Sequence, residues 1–468
     1  MPERSEVPEG WEWVTLPEVA DICMGQSPPG SSYNEEGRGL PFFQGKADFT
    51  DYHPTIRVYC TEPKKIVKSG DILISVRAPV GPTNVADRVC TIGRGLAGLT
   101  PLAGIPTNYI LYLLRYKEPE ISLWGTGSTF TAINKGHLES IELPLPPLAE
   151  QHRIVAAIEA LFARLDAANA RLDRVPGILK QFRQSVLAAA CDGRLTEDWR
   201  AEQNVVNRES PVENCEDYIA ENIEIPPSWH WSNLKNICTQ IVDCPHSTPR
   251  WTEEGEICLR TTNFKLGYLD LSEVRYVSRE TYEERVSRLE PQPNDIVYSR
   301  EGGILGIACP IPEGLKACLG QRMMLIRASQ SKCSPKYLLN ILNSPFVLSK
   351  VKTLTGGTSS PHLNVGDVKQ FLVPLPPLPE QHEIVRRVDA LFALADRIEA
   401  EVAAARGKTE TMRQSILARA FSGRLVPTEA ELARREGREY EPASVLLERI
   451  RSGKGAKKTG KESQSRLT

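Results

Sequence analysis

The sequence predicts an α+β protein: two similar globular domains separated by two long helices that form an antiparallel coiled coil, the whole a pseudo-two-fold internal repeat. Three observations predict it. Pro144–Asp166 (PLPPLAEQHRIVAAIEALFARLD) and Pro374–Asp396 (PLPPLPEQHEIVRRVDALFALAD) are identical at 15 of 23 positions, 230 residues apart and without a gap. At the same offset, Arg183–Leu195 (RQSVLAAACDGRL) and Arg413–Leu425 (RQSILARAFSGRL) share 9 of 13. Between the matches, apolar or small residues recur at alternating spacings of four and three, a heptad seam. Two copies at so long a period exclude a solenoid.

The seam in the first copy runs Ile154, Ile158, Leu161, Leu165, Ala168, Leu172, Val175, Leu179, Phe182, Val186, Ala189. The second copy follows from Ile384 and Val388 to Met412, Ile416 and Arg419. Pro147 and Pro377 stand just ahead of the helices, where proline is tolerated. Gly193 and Gly423 follow the last periodic residues and suit a helix C-terminus. Each helix is expected over 150–190 and 380–420, about 60 Å at 1.5 Å per residue. Pro176-Gly177 falls inside the first helix; the seam keeps its phase there, so a kink is expected rather than an end. The long stretch between the helices can form a globular domain and return the chain for antiparallel pairing.

The 468 residues allow two to four domains, and 41% hydrophobic residues can fill their cores. No apolar run reaches membrane-spanning length, and MPERSEVPEGWEW has no apolar signal core, so a cytoplasmic chain with no membrane contact is expected. The eleven cysteines are scattered without a Cys-x-x-Cys pair and read as reduced thiols. Net charge is −2, but it is uneven. Residues 1–142 hold 13 Lys/Arg against 17 Asp/Glu, and residues 226–372 hold 17 against 14. Such a balance suits a weak nucleic-acid binder whose partner subunit adds positive surface.

The segments follow in order: 1–148, first globular domain; 149–195, first long helix; 196–225, linker; 226–378, second globular domain; 379–425, second long helix; 426–468, a C-terminal extension. In the extension, Thr428 to Glu431 forms a capping box, Ala443 to Arg451 can form another helix, and the basic end from Ser452 is expected to be disordered. The globular domains are weaker copies. PEGWEWVTL (from Pro8) matches PPSWHWSNL (from Pro226). The strand-like GDILISVR (from Gly70) matches NDIVYSR (from Asn294), with one residue fewer. Asn108–Lys117 matches Lys336–Asn343, both helical in period. The least alike parts are 24–65 and 241–290. A shared frame with one divergent segment suggests two reading heads on a common chassis.

This arrangement resembles the specificity subunit of type I restriction–modification systems. The paired LPLPPLAEQHRIV and VPLPPLPEQHEIV segments carry the resemblance, with RQSVL and RQSIL, the trailing GRL, the GDILISVR and NDIVYSR segments and the GWEWVTL and SWHWSNL openings. It covers nearly the whole chain up to Leu425. The resemblance implies that each globular domain is a target-recognition domain reading one half of a split, asymmetric site in double-stranded DNA. It implies that the helices set the distance between the halves. The chain would hold no cofactor and perform no chemistry. It would bind methyltransferase subunits, two of them, which modify adenine with S-adenosylmethionine, and restriction subunits that use ATP and Mg.

Absent motifs bear on the alternative, a self-contained nuclease or methyltransferase with fused recognition domains. There is no phosphate loop ending in Lys-Ser/Thr and no Asn/Asp-Pro-Pro-Tyr/Phe tetrapeptide. Asp295 and Glu301 could pass for nuclease carboxylates, but a turn and strand-end role fits them better. The seven histidines form no His-x-x-x-His pair, and His152 and His382 read as interface or helix-start residues rather than ligands. A structural coiled-coil scaffold is a third reading, disfavoured by the Arg/Asn/Gln-bearing variable loops.

Base readout favours Arg for guanine and Asn or Gln for adenine; phosphate contacts favour Lys, Arg, hydroxyls and bare amides. In the first domain the candidates are Gln26, Ser27, Ser32, Tyr33, Gln44, Lys46 and Arg77. In the second they are His246, Ser247, Thr248, Arg250, Arg260, Thr262, Asn263, Arg300 and Arg322. Ser128 and Thr129 after Gly127, and Thr358 and Ser359 after Gly357, are candidate phosphate contacts.

Overall fold

The structure, a computed structural model, describes residues 6–125, 132–203, 223–301, 304–355 and 362–453. The chain divides into two compact units. One comprises residues within Met1–Leu172 and Ala404–Thr468, the other residues within Asp173–Ala403. The division cuts across the sequence blocks. Each unit holds one globular domain, the start of the helix that follows it and the end of the other helix.

The first globular domain is built from three pieces of sheet. Strand Glu12–Thr15 pairs antiparallel with Glu142–Leu145, so the domain's two ends meet immediately before the helix. Ala20–Met24, Leu96–Pro101, Ile72–Ser75 and Thr83–Val85 form an antiparallel sheet in that spatial order. Tyr33–Asn34, Val58–Cys60, Leu40–Phe43, Cys90–Ile92 and Ile66–Val67 form the third, in which Leu40–Phe43 and Cys90–Ile92 run parallel. Helix Thr107–Leu123 covers the antiparallel sheet with Tyr109, Ile110, Leu113 and Leu114, all buried.

The second domain repeats this plan. His230–Asn233 pairs with Leu372–Leu375. Cys238–Asp243, Met323–Ala328, Ile296–Ser299 and Ala308–Pro310 form the antiparallel sheet. Trp251–Thr252, Arg275–Val277, Glu256–Leu259 and Ala317–Leu319 form the mixed one, again with a parallel pair, Glu256–Leu259 on Ala317–Leu319. The segments least alike in sequence, 24–65 and 241–290, therefore share one strand order. The repeated feature there is backbone pairing, which tolerates many side chains and leaves little trace in residue identity.

The ladder also corrects the sequence alignment. Leu96 opposes Ser75 and Met323 opposes Ser299, so the two strands match without a gap. Arg77 thus corresponds to Glu301, and Val76 to Arg300; each of Arg77 and Glu301 makes an isolated bridge, to Ala132 and His362.

The first long helix ends where a kink was expected. Leu148–Leu172 stops, Asp173 and Arg174 turn, and Val175–Cys191 begins anew with Pro176 in its first turn. Pro176 has no N–H to give the Leu172 carbonyl, and its ring crowds that oxygen. Arg406 occupies the matched place in the second copy, and Leu378–Phe421 is unbroken over 44 residues. Within each unit the helix segments run antiparallel. Arg413 pairs with Asp166 and Thr409 with Asn169 in one; Arg183 pairs with Asp396 and Glu399 in the other. The seam is buried at Ile154, Ile158, Leu165, Leu179 and Val186 in the first copy and at Ile384, Val388 and Ala395 in the second. Phe162 rather than Leu161 is buried, and Ala168 and Met412 are exposed.

The repeated PLPPLxEQ segment has a packing role. Pro147 and Pro377 offer their carbonyls to the first helical N–H groups, those of Glu150 and Gln151 and of Glu380 and Gln381. Glu150 and Glu380 are fully buried and accept the indole N–H of Trp11 at 3.0 Å and of Trp229 at 2.9 Å. Gln151 and Gln381 donate to the carbonyls of Pro146 and Pro376. Tyr109 and Tyr337 close the layer on the Pro144 and Pro374 carbonyls, each at 2.7 Å. The GRL glycines hold the left-handed conformation, Gly193 at φ 80° and Gly423 at φ 71°. A Cβ there would meet Pro226 at 2.4 Å and Pro8 at 2.3 Å, the prolines that precede the two tryptophan motifs.

The extension is folded over its described part. Thr428 and Glu431 form the expected capping box on helix Glu429–Glu436. A further helix over 443–453 buries Ala443, Leu446, Leu447 and Ile450 in the first domain's core. The Ala443 N–H donates to the Gly10 carbonyl at 2.9 Å. The tail from 454, most of the linker, and Ser128, Thr129, Thr358 and Ser359 lie outside the described residues.

Candidate nucleic-acid interface

Loops at the ends of the two sheets gather most of the remaining candidates. In the first domain, three backbone bonds build the site. The Gly25 N–H reaches the Leu96 carbonyl, the Gln26 N–H that of Ile92, and the Gly93 N–H that of Phe43. The chain then passes through Gln44 into a short 3₁₀ turn, Lys46–Asp48, where the Asp48 carboxylate accepts the Gln44 N–H at 2.9 Å. Gln26, Gln44, Lys46 and Arg77 are exposed. Ser27 is half-buried and accepts the Arg94 N–H.

The second domain builds the same corner. The Cys244 N–H reaches the Met323 carbonyl, and the Gly320 N–H that of Leu259. Arg260 then enters a 3₁₀ turn, Thr261–Asn263, and its N–H goes to the Asn263 amide oxygen at 2.9 Å. Around it lie exposed His246, Ser247, Thr248, Arg250 and Thr262. Arg322 stands at φ 66° with its side chain 59% exposed, 3.5 Å from Glu301. Gln321 donates to the Thr248 hydroxyl and the His246 carbonyl, tying the two loops together.

Four candidates are not free to read a base. Asn263 is buried, with its amide donating to the Asp270 and Glu273 carbonyls and its oxygen closing the turn. Arg300 is buried in an ionic cluster, 3.3 Å from Asp243 and 3.2 Å from Glu301, with His246 beside it. Tyr33 stacks on Phe42 at 4.7 Å and donates to the Pro28 carbonyl, and burial raises its phenol pKa. Ser32 is buried against Pro29 and Cys60. All four sit among polar loop residues in the sequence, and only the tertiary contacts reveal that their groups are occupied.

Asp295 accepts the Gln292 N–H and pairs with Arg327 at 2.7 Å, and Glu301 binds Arg300 and Arg322, so both carboxylates serve the scaffold. His152 and His382 are exposed on the helices rather than packed at their starts. Among the described residues no group of three His, Cys, Asp or Glu is placed to hold a metal ion, and no helix is long and apolar enough to cross a membrane.

Three further residues of the site escape the sequence patterns. Arg94 is exposed beside Ser27, and Gln321 takes the matching place after Gly320. Both follow a glycine that itself follows a short apolar strand, a signal visible only once the domains are superposed. Arg285 is buried, and its guanidinium donates to the carbonyls of Leu319 at 2.9 Å and Ser247 at 2.5 Å. It pins the His246 loop to the Gly320 turn.

The fold and these loops define a duplicated recognition module. Residues 8–176 and 264–404 match the type I restriction modification DNA specificity domain, and the chain belongs to that family. It is 34% identical to the type I restriction enzyme EcoBI specificity subunit of Escherichia coli, over 97% of this chain and 95% of that protein. It is 48% identical to the putative type I restriction enzyme MjaX specificity subunit of Methanocaldococcus jannaschii, but over 34% of this chain and 38% of that protein. The crystal structure of the HsdS subunit from Thermoanaerobacter tengcongensis shares the fold, with a TM-score of 0.52, 18% identity, and coverage of 90% of this chain and 99% of that one.

Proposed function

We propose that this chain is the DNA-reading specificity subunit of a type I restriction–modification complex. Each globular domain reads one half of a bipartite, asymmetric duplex site. The chain positions two methyltransferase subunits, which methylate adenine with S-adenosylmethionine, and restriction subunits that use ATP and Mg. One observation carries the reading. The two domains hold different side chains at the same corner of one scaffold: Ser27 against His246, Gln44 against Arg260 and Arg94 against Gln321. A common backbone with altered donors and acceptors suits two half-sites of different sequence.

The self-contained enzyme is disfavoured because Asp295 and Glu301 are engaged in the scaffold. The test is methyl transfer from labelled S-adenosylmethionine to duplex DNA. Transfer is expected when the chain is assembled with methyltransferase subunits, and not with the pure chain. Transfer by the pure chain would overturn the assignment. Methylome sequencing of the host with and without the chain would give both half-sites.

A further inference from the structure

Gln44 and Arg260 lie in segments with no useful sequence match, yet their backbones are held alike. Leu40–Phe43 and Glu256–Leu259, the strands that deliver them, each lie between an antiparallel and a parallel neighbour of matching order. The last residue of each strand accepts a glycine N–H from that parallel side, Phe43 from Gly93 at 2.8 Å and Leu259 from Gly320 at 2.9 Å. The next N–H, of Gln44 or Arg260, goes at 2.9 Å to the side chain that closes the 3₁₀ turn, Asp48 or Asn263. The carbonyl of that closing residue accepts a second N–H at 2.7 Å, from Thr55 in one domain and Asp270 in the other. Three matched bonds fix where the side chains at 44 and 260 leave the scaffold, with one more residue, Gly45, before the turn in the first domain.

The two side chains are the ones whose paired groups distinguish bases. Gln44 is exposed, with amide oxygen and nitrogen both able to engage an adenine edge. Arg260 is half-buried; its Nη2 lies 3.4 Å from the Glu273 carbonyl, and its Nε is buried with no hydrogen-bond partner. That contact orients the guanidinium, whose fork matches O6 and N7 of guanine. We propose that positions 44 and 260 are the corresponding base-reading positions of the two domains, Gln44 taking an adenine in one half-site and Arg260 a guanine in the other. This rests on the DNA-reading assignment above and adds which residue reads which base.

The test is selection from a randomised duplex library by the chain assembled with methyltransferase subunits, in wild type, Gln44→Arg and Arg260→Gln forms. Wild type should select a bipartite site. Gln44→Arg should convert one A·T pair to G·C in one half-site, with a preference of roughly ten- to a hundredfold. Arg260→Gln should convert one G·C pair to A·T in the other. The untouched half-site in each variant reports that the complex is folded. If Arg260→Gln loses all selection, Gln44→Arg decides alone, since its side chain is already exposed. An unchanged site in Gln44→Arg, or weaker binding with the same preferences, would overturn the assignment of base-reading positions. Failure of wild type to select any bipartite site would overturn the DNA-reading function itself, and this inference with it.

Discussion

Trp11 donates its indole N–H to the buried carboxylate of Glu150 at 3.0 Å, across 139 residues of chain. Trp229 and Glu380 repeat the bond at 2.9 Å. The surroundings differ. Glu380 also accepts from Arg200 at 2.5 Å and from the Thr196 hydroxyl at 2.8 Å. Glu150 instead accepts the N–H of Glu429, at the start of a helix in the C-terminal extension, at 2.8 Å. In both units the segment that follows the opposite helix completes the coordination of the glutamate. The extension therefore belongs to the first unit's framework.

Trp11→Phe keeps most of the ring and removes the donor. A hydrogen bond to a charged group contributes about 1.5–3 kcal/mol, and a loss of that order is expected in the unfolding of the first unit at a pH above about 7, where the Glu150 carboxyl is ionised. Trp229→Phe should cost less, because Arg200 and Thr196 remain on Glu380. Thermal or denaturant unfolding of both variants would check the order. Equal losses would show that the extra partners do not share the load.

Burial pushes the Glu150 carboxyl up from 4.5 to about 7, against the Glu429 N–H, the Trp11 indole and Arg153, which favour the anion. The folded state thus retains a proton that the unfolded chain has lost between those values. Stability from this group is fully present below pH 4.5 and is lost as pH rises through about 7. Glu150→Gln removes this titration and leaves one of two N–H donors facing an amide N–H₂. The variant should be less stable than wild type at about pH 5, with the gap narrowing towards about pH 8. A gap that stays constant over that range would mean that Glu150 does not titrate there.

Arg300 and Arg322 should separate stability from recognition. Arg300→Ala leaves Asp243 with His246 alone, at 3.0 Å, and its Oδ1 is already buried without a partner, so a loss of about 3 kcal/mol in the second unit is expected. Arg322→Ala removes a largely exposed side chain and should change stability by no more than about 0.5 kcal/mol. It should instead weaken DNA binding by the assembled complex. Melting curves and salt-dependent binding isotherms measured on both variants would show it; a large stability loss in Arg322→Ala would place that residue in the scaffold.

The repeat, the helices and the identity of the family were legible because packing fixes side chains at fixed spacing. Glu150, Gln151, Glu380 and Gln381 are written the same way twice because each has a buried partner to satisfy. The loops were legible only as composition. Gln44 and Arg260 share a backbone and nothing in residue type, so their correspondence emerges only from hydrogen bonds. Asn263 and Arg300 looked like readers because amide and guanidinium groups serve a turn or an ion cluster as well as a base. Pro176 was misjudged because a seam that keeps its phase does not require an unbroken backbone ladder.

The helix pair carries its pseudo-symmetry in ions. Arg413 meets Asp166 in one unit and Arg183 meets Asp396 at 2.6 Å in the other, each residue 230 positions from its counterpart. Arg183 also holds Glu399 at 2.9 Å, while the position matching Glu399 is Asn169, a neutral side chain bonded to Thr409. Arg413 has another partner, the Phe162 ring, with its guanidinium carbon 4.8 Å from the centroid. The carboxylates of Asp166 and Asp396 are largely exposed, so each pair should contribute about 0.2–1 kcal/mol. Asp396→Asn should cost least, since Arg183 keeps Glu399. Arg413→Ala should cost more than Asp166→Asn, since it also uncovers Phe162, a contact of about 0.5–1 kcal/mol. A double-mutant cycle on Asp166 and Arg413 isolates the ionic part, which salt should screen, while the Phe162 part should persist. If the whole loss in Arg413→Ala disappears in high salt, the ring contact contributes nothing.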